Sequence, residues 1–410
     1  MQRVAITGMG VVSPLGNSID LMFANFVAGN SAIRSLSAPR CAKLRSPIGA
    51  MVDFDGSAHF DVARLRMLDR VSQLALVAAA QAVADSKIAL SSEDLERCGV
   101  SVGSSLGGVQ TTDEAYYSMY AEKSDRVQPF NIVAAMGNAP AAWIGLEHGF
   151  TGPNLTYSTA CSSSAVAIGE AARRIQSSEI DVMLAGGAEA PLTFGILRAW
   201  EAMRTLAVPD PLDLSTSCRP FAKTRTGLVI GEGAAFVLLE GWDHAVARGA
   251  RIHAELTGYG LVTDIGHLTR PSVAGQASAM RAALRCAGAQ PQDIDYINAH
   301  GTATLANDAV ETAAIKDVFG PGASGIPVSS TKSMHAHLLG AAGALEFVIA
   351  IAALQRGVIP PTMHLNVRDP ACDLDYVTEG ARSHVALHTV MSNSFAFGGT
   401  NAVLIARHAT

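Results

Sequence analysis

The chain has 410 residues, well above the roughly 150 of a typical domain, so it holds two domains or one large body with an extensive core. Apolar residues make up 49% and charged residues 16%, which excludes an intrinsically disordered chain. Thirty basic against 36 acidic residues give a formal net charge of -6, which argues against a nucleic-acid-binding protein.

The six cysteines are scattered without a C-x-x-C pair, so neither a disulfide framework nor a zinc site is predicted and no metal is expected. The first residues predict a strand entering a turn and not a secretory signal, and we expect a cytoplasmic protein. Two apolar stretches, 127–146 and 334–354, are interpreted as buried segments and not membrane spans, because the first contains two prolines and the second a glutamate.

Short β-branched runs alternate with Ala-rich helical patterns along the chain. A strand is predicted over 3–7, a helix over 66–87 and a second strand over 99–103. This alternation is typical of an α/β architecture in which helices cover a sheet.

The chain also contains a weak internal duplication. Three pairs of segments are similar: 4–13 with 254–263, 158–180 with 330–354, and the region ending at 241 with 393–406. We therefore predict two similar halves, 1–248 and 249–410, joined by a helix near 242–252. In such a body the functional site is expected where the halves meet, with residues from both.

Two motifs in the first half suggest other functions. The segment 7–13 begins like a dinucleotide-binding loop, but Ser13 replaces the third glycine and no acidic residue follows about 20 residues on, so NAD binding is not expected. The segment 103–107 matches G-x-S-x-G after a strand, which leaves a serine hydrolase using Ser105, Asp264 and His300 as an alternative. The poor helix pattern after this motif disfavours it.

Cys161 lies where a strand-like segment ends and an Ala-rich helix begins. Free backbone N–H groups and the helix dipole favour the thiolate at such a place. From this motif alone, a nucleophile and a small buried cysteine are both open. Two loops of the second half, which carry His300 and His337, favour catalysis, because the second loop occupies the position of the Cys161 loop in the duplication. A glycine-rich loop around Phe397 offers backbone N–H groups for an oxyanion.

Four segments together resemble one family. TACSSS around Cys161, NAHGTAT around His300, STKSMHAHLLGAAGALE around Lys332 and His337, and NSFAFGGTNA around Phe397 resemble the β-ketoacyl-[acyl-carrier-protein] synthases of the elongating type, in the thiolase superfamily. The similarity runs from end to end. It implies a duplicated, layered αβαβα fold without a cofactor, with substrates carried on the phosphopantetheine of acyl carrier protein. It also implies a homodimer, or a heterodimer with a chain-length partner, and no membrane insertion.

The reaction implied by this resemblance is a decarboxylative Claisen condensation of an acyl-enzyme with malonyl-carrier protein, which gives a 3-oxoacyl-carrier protein and carbon dioxide. Type II fatty acid synthesis is the implied pathway, and a dedicated polyketide or polyene pathway is the alternative. Cys161 would take the acyl chain, and His300 and His337 would stabilise the enolate. A histidine in place of a second cysteine distinguishes this pattern from non-decarboxylating thiolases, and the presence of Cys161 distinguishes it from an inactive chain-length partner.

Further roles are implied by the same resemblance. Lys332 would act beside the catalytic histidines, with Glu346 and Asp308 as supporting residues, and Phe395 and Phe397 would form the oxyanion site and the gate. Residues that would bind the phosphopantetheine arm are Thr269, Thr302 and Thr304, and residues that would line the acyl pocket are Leu106 and Trp200.

The chain departs from the family pattern at several positions. In the segment 219–228, Ala222 and Thr226 stand where Asp is frequent and Leu228 where Phe is frequent. His335 and Ala336 stand where Thr and Gly are frequent, and Ala396 stands where Gly is frequent. His335 is either a hydrogen-bonding substitute or a residue that changes substrate handling, and Ala396 is expected to stiffen the gate.

Three arginines match the family's docking region for acyl carrier protein: Arg64, Arg66 and Arg204. Carrier proteins are acidic, so an acidic enzyme needs a local basic patch to bind them. A solvated helix face is the alternative interpretation of these residues.

Overall fold

The computed structural model describes residues 2–409. The first half contains helices α1 Ile19–Val27, α2 Val62–Leu65, α3 Arg70–Ser86, α4 Val109–Tyr120, α5 Asn131–Ala135, α6 Ala139–His148, α7 Ser163–Gln176, α8 Phe194–Ala202 and α9 Trp242–Ala247. Its strands are β1 Val4–Val12, β2 Ile33–Ser35, β3 Ile48–Ala50, β4 Cys98–Gly103, β5 Asn154–Tyr157, β6 Val182–Glu189 and β7 Gly233–Gly241.

The second half contains helices α10 Val273–Ala287, α11 Asn307–Phe319, α12 Lys332–His335 and α13 Ala342–Arg356. Its strands are β8 Ala254–Thr263, β9 Tyr296–Asn298, β10 Val328–Ser329, β11 Val358–Ile359, β12 Arg382–Ser383, β13 Thr389–Phe395 and β14 Thr400–Arg407. The predicted connecting helix is shorter than 242–252, because α9 ends at Ala247 and β8 begins at Ala254.

The strand order shows the duplication directly. The main sheet runs β10-β9-β13-β14-β8-β1-β7-β6-β4-β5, which is the same five-strand arrangement twice. In the first half β4 pairs in parallel with β5 and β6, and in the second half β9 pairs in parallel with β10 and β13; the remaining pairs within each half are antiparallel. The halves join through a short antiparallel contact between β1 and β8. The predicted duplicated fold is therefore confirmed.

Helices form layers around these strands. The duplicated helices α7 and α13 pack against each other and against strands of the sheet, while α3 covers β1 and β7, and α10 covers β8 and β14. The stretch Leu339–Arg356, which includes α13, is apolar and long enough to cross a membrane, but 89% of it is buried inside the protein. This burial explains its continuous hydrophobicity, as expected for a core helix.

The G-x-G motif of β1 has a packing explanation. A Cβ atom at Gly8 would lie 2.0 Å from the carbonyl oxygen of Ala82, and one at Gly10 would lie 2.0 Å from that of Ala78. Both carbonyls belong to α3. The glycines therefore let a helix approach a strand closely, which gives the motif a packing role.

Candidate active site

A cavity between the two halves collects the predicted catalytic residues. Cys161 from the first half and His300 and His337 from the second half all line it. All three are buried, and their sulfur and ring-nitrogen atoms lie within 4.8 Å of one another. The remaining predicted residues that line the same cavity are Thr269, Thr302, Thr304, Trp200, Phe395 and Phe397.

Cys161 lies in a tight turn, Ala160–Ser162, immediately before α7. Burial raises the pKa of its thiol to about 11, although the charge of Lys332 and a hydrogen bond from the backbone N–H of Phe397 act in the opposite direction. The expectation that the helix N-terminus favours a thiolate is therefore outweighed by burial. The free protein holds a protonated thiol at neutral pH, beside an N–H group suited to an oxyanion.

The hydrogen bonds of His337 define its tautomer. Its backbone N–H donates to the carbonyl of Val229 at 2.8 Å, and its Nδ1 accepts the backbone N–H of Leu339 at 3.2 Å. Burial, followed by the charge of Lys332, holds its pKa well below the usual value, so the ring is neutral. Because Nδ1 is an acceptor, the single proton is on Nε2, which is buried and has no hydrogen-bond partner among residues 2–409.

This tautomer bears on the metal-binding chemistry of the cluster. A zinc ion needs the lone pair of a ring nitrogen, whereas Nε2 of His337 carries a proton. The arrangement therefore fits a hydrogen-bond donor directed at a substrate oxygen better than it fits a resident metal.

His300 follows β9 and is fixed through its backbone. Its N–H donates to Glu311 Oε1 at 2.8 Å, and its carbonyl oxygen accepts a hydrogen bond from Lys332 Nζ at 2.7 Å. Burial is the main cause that holds its pKa well below the usual value. Its ring centroid lies 5.4 Å from that of His337, with the two ring planes at 84°. The cavity thus holds two neutral imidazoles beside the thiol.

Lys332 and Glu346 form a buried ion pair behind the histidines. The ammonium group donates both to Glu346 and to the His300 carbonyl. Burial raises the pKa of Glu346 to about 7, although Lys332 acts in the opposite direction. Lys332 is therefore placed to hold the His300 loop.

Asp308 is in a different environment. Its carboxylate accepts the backbone N–H of Phe221 at 2.8 Å and lies 3.8 Å from Arg225. Burial raises its pKa to about 7. Asp308 therefore contacts the segment that contains Phe221 and Arg225, and it does not contact the rings of the catalytic histidines directly.

The predicted gate joins both halves. The ring of Trp200 stacks on that of Phe397 with centroids 5.9 Å apart, and the rings of Phe395 and His300 pack edge to face with centroids 6.0 Å apart. The loop turns at Gly398 and Gly399, which have φ of 86° and 79°, whereas Ala396 stays outside the left-handed region. Leu106 does not line the cavity, but packs with Trp200 in a neighbouring apolar cluster.

The polar residues that are predicted to bind the phosphopantetheine arm lie on two loops that line the cavity. The hydroxyls of Thr302 and Thr304 are 2.9 Å apart, and Thr269 lies on the loop after β8. The exposed Arg270 beside Thr269 also lines the cavity and was not identified from the sequence.

The predicted docking arginines differ in availability. Arg66 and Arg204 are exposed. Arg64 is half-buried and forms an ion pair with Glu147, with its guanidinium 5.7 Å from the centre of the Trp143 ring.

Two buried glutamates were not identified from the sequence. Glu311 accepts the N–H groups of His300 and Gly301, both at 2.8 Å. One feature of the sequence could have indicated Glu311: it follows Asp308 by three residues on α11, which places both side chains on the same face of the helix.

Glu189 organises the G-x-S-x-G segment. It accepts the backbone N–H of Ser105 at 2.7 Å and that of Gly340 at 3.0 Å, and it also accepts the Ser105 hydroxyl. The serine is thus paired with a carboxylate and not with a histidine base, which removes the serine hydrolase alternative.

Comparisons with known proteins agree with this site. The sequence profile of the β-ketoacyl synthase N-terminal domain matches residues 1–245, and that of the C-terminal domain matches residues 253–366. Nodulation protein E of Rhizobium meliloti strain 1021 is 44% identical over 403 residues, covering 98% of both chains. A 3-oxoacyl-[acyl-carrier-protein] synthase 2 of Coxiella burnetii is 40% identical over 407 residues, also covering 98% of both.

Solved structures are similar over the whole chain. The ishigamide ketosynthase/chain length factor has a TM-score of 0.93 at 33% identity, covering 100% of both chains. A type II polyketide synthase acyl-carrier protein in complex with its ketosynthase bound to the hexaketide has a TM-score of 0.92 at 30% identity, again covering 100% of both. The chain belongs to the β-ketoacyl synthase family and is a condensing enzyme of the acyltransferase class.

Proposed function

We propose that the protein moves an acyl chain from acyl carrier protein to Cys161 and condenses it with malonyl-carrier protein. The observation that supports this most is the single cavity that holds a thiol, an N–H group from Phe397 and two neutral histidines. These are the groups needed to form a thioester and to stabilise an enolate.

In the first half-reaction, a bond forms between Cys161 Sγ and the acyl carbon, and the bond from that carbon to the carrier's pantetheine sulfur breaks. The thiol proton leaves with the released carrier thiol. The backbone N–H groups of Cys161 and Phe397 hold the negative oxygen of the tetrahedral intermediate, and Thr302 and Thr304 line the path of the pantetheine arm.

In the second half-reaction, malonyl-carrier protein loses carbon dioxide as its carbon–carboxylate bond breaks. The electron pair is held as an enolate, whose oxygen accepts hydrogen bonds from His300 and His337. The enolate carbon then attacks the acyl carbon, the bond to the Cys161 sulfur breaks, and the thiolate that leaves takes up one proton from the solvent. The products are a 3-oxoacyl-carrier protein and carbon dioxide.

The proposed assembly is a homodimer that binds acyl carrier protein in the cytoplasm without a cofactor. Exposed apolar side chains support a protein interface: Tyr116 is 56% exposed, Tyr120 79%, Phe130 49% and Ile132 73%. They lie between β4 and β5, and β5 forms an edge of the main sheet. A heterodimer is the alternative, because a solved neighbour is a ketosynthase with its chain length factor.

Type II fatty acid synthesis is the proposed pathway, supported by the relatives named 3-oxoacyl-[acyl-carrier-protein] synthase 2. A dedicated polyketide or polyene pathway is the second candidate. It is favoured by the neighbours that are type II polyketide ketosynthases and by the higher identity to a nodulation protein.

The test is an intact-mass assay of Cys161 acylation with a panel of saturated, unsaturated and aryl acyl-carrier proteins. We expect one acyl adduct per chain and loss of the adduct in Cys161→Ala. Iodoacetamide should abolish condensation when it alkylates Cys161, and because Cys286 is an exposed free thiol that the reagent also reaches, peptide mass identifies which cysteine is modified. A serine-directed phosphonate should have no effect. Continued chain elongation by Cys161→Ala would contradict the mechanism, and the preferred acyl group separates the two pathways.

A further inference from the structure

His335 is a third histidine beside the site, and the proposed mechanism does not use it. It ends α12, is completely buried and does not line the cavity. Its Nε2 lies 3.0 Å from the hydroxyl of Thr331 and 3.9 Å from Glu346 Oε1, the carboxylate oxygen that also binds Lys332. Its ring and that of Phe26 pack edge to face, with centroids 5.6 Å apart and ring planes at 85°.

The surroundings of His335 favour one tautomer. Burial holds its pKa well below the usual value, so the ring is neutral and carries one N–H. Nδ1 makes no hydrogen bond of good geometry within residues 2–409, and the backbone of Ala336 and of His335 itself acts only weakly on the ring, so a proton on Nδ1 would be a poorly satisfied buried donor. A proton on Nε2 faces both the Thr331 hydroxyl and the Glu346 carboxylate. The Nε2–H tautomer therefore satisfies the donor and avoids a lone pair directed at an anion.

This N–H has a consequence for the ion pair. Glu346 is completely buried, and its Oε2 has no partner among the described residues, so its charge relies on Lys332 and on nearby dipoles. A donor near Oε1 stabilises the carboxylate form. When the carboxylate keeps its charge, Lys332 stays anchored, and its second hydrogen bond holds the carbonyl of His300.

We propose that His335 is a positioning residue that keeps Glu346 ionised, and thereby keeps Lys332 bonded to the His300 loop during decarboxylation. The inference rests on the proposed function. The titratable groups around Glu346 in this arrangement are Lys332 and His335 on α12, His300 and Tyr296 at β9, Glu311 on α11, Cys161 and His337.

The experiment measures decarboxylation of malonyl-carrier protein by the full-length protein from about pH 5.5 to about 8.5. His335→Leu removes the donor, so protonation of Glu346 should occur at higher pH. We expect the acid limb of the profile to move up by about one pH unit, which is about a tenfold lower rate on that limb. His335→Gln places an amide N–H at a similar reach and should restore the wild-type profile.

Phe26→Leu is the matched control, because it weakens packing on the same ring and leaves the N–H in place. Its profile should coincide with that of the wild type. A shift in Phe26→Leu equal to that in His335→Leu, or an equal shift in His335→Gln, would show a packing effect and overturn the inference. If His335→Leu does not fold, His335→Ala takes its place in the same comparison. A wild-type protein that fails to decarboxylate malonyl-carrier protein would instead contradict the proposed function.

Discussion

We expect the protonation of one buried carboxyl group, that of Glu346, to determine how the decarboxylation rate varies with pH. Its pKa of about 7 means that the carboxylate is present above this pH and is lost as the pH falls through it. Below pH 7, Lys332 loses its counter-ion, and its hold on the His300 carbonyl weakens. The decarboxylation rate should therefore fall on the acid side of about pH 7.

Glu346→Gln tests this dependence. The amide does not titrate, so the acid limb near pH 7 should disappear, while the rate above pH 7 should fall because Lys332 is left unpaired. Loss of one partner of a buried pair costs about 3–5 kcal/mol, so a lower melting temperature is also expected. An unchanged acid limb in a folded variant would assign the limb to another group.

His337 should contribute to the rate as a neutral donor. His337→Leu removes its Nε2–H and should lower the decarboxylation rate by about 10²–10³-fold, as for loss of one oxyanion donor. His337→Gln supplies an amide donor and should keep part of the rate. Steady-state decarboxylation, with acylation of Cys161 measured separately by mass, checks this; equal loss in both variants would argue against the donor role.

For individual residues, the sequence predicts the catalytic side chains better than it predicts the side chains that hold them in place. Cys161, His300 and His337 lie in loops whose position after a strand or before a helix is visible in the sequence. Glu311 and Glu189 hold backbone N–H groups, and the partners of Glu189 lie 84 and 151 residues away. No local pattern specifies such contacts, because any buried carboxylate on a suitable face would satisfy the same sequence.

The loop between α12 and α13 contains backbone strain. Ala336 has φ of 62° and ψ of -165°, a conformation that is open to glycine and costs a residue with a Cβ atom about 1–3 kcal/mol. Ala336→Gly should therefore raise the free energy of unfolding by about 1 kcal/mol, after the greater entropy of glycine in the unfolded chain is subtracted. Denaturant unfolding checks this.

Ala350→Gly is the control for that substitution. Ala350 is buried in the middle of α13, so the same change should lower the free energy of unfolding by about 1 kcal/mol. If Ala336→Gly also lowers it, the loop conformation described here is contradicted.

The element boundaries show what sequence patterns leave open. A helix predicted from residue 66 begins at Arg70, because Asp69 caps it and accepts the N–H of Val71 at 2.9 Å. The strand predicted over 3–7 extends to Val12. The glycines that suggested an earlier turn are required by the close packing of α3 against the strand, and they do not end it. The type of each element follows from periodicity, whereas its ends depend on contacts that form only in the folded protein.

At the scale of the whole molecule, a protein with a net charge of -6 must attract an acidic carrier through local charge. Reversal of the exposed Arg66 and Arg204 to Glu should raise KM for acyl-carrier protein by about tenfold, or 1.4 kcal/mol, and leave the rate with acyl-pantetheine unchanged. Arg285→Glu on α10 makes the same charge change at another exposed position and should have little effect. Equal KM values in all variants would remove Arg66 and Arg204 from the docking surface.

The duplicated arrangement also has an evolutionary consequence. Two identical copies in a symmetric pair must carry the same residue at equivalent positions, so a nucleophile gained in one copy is gained in both. Once the copies are fused in one chain, each position mutates separately. The loop before α7 carries Cys161, whereas the equivalent loop before α13 carries His337. Fusion thus permits a division of labour that a symmetric ancestor was unable to encode.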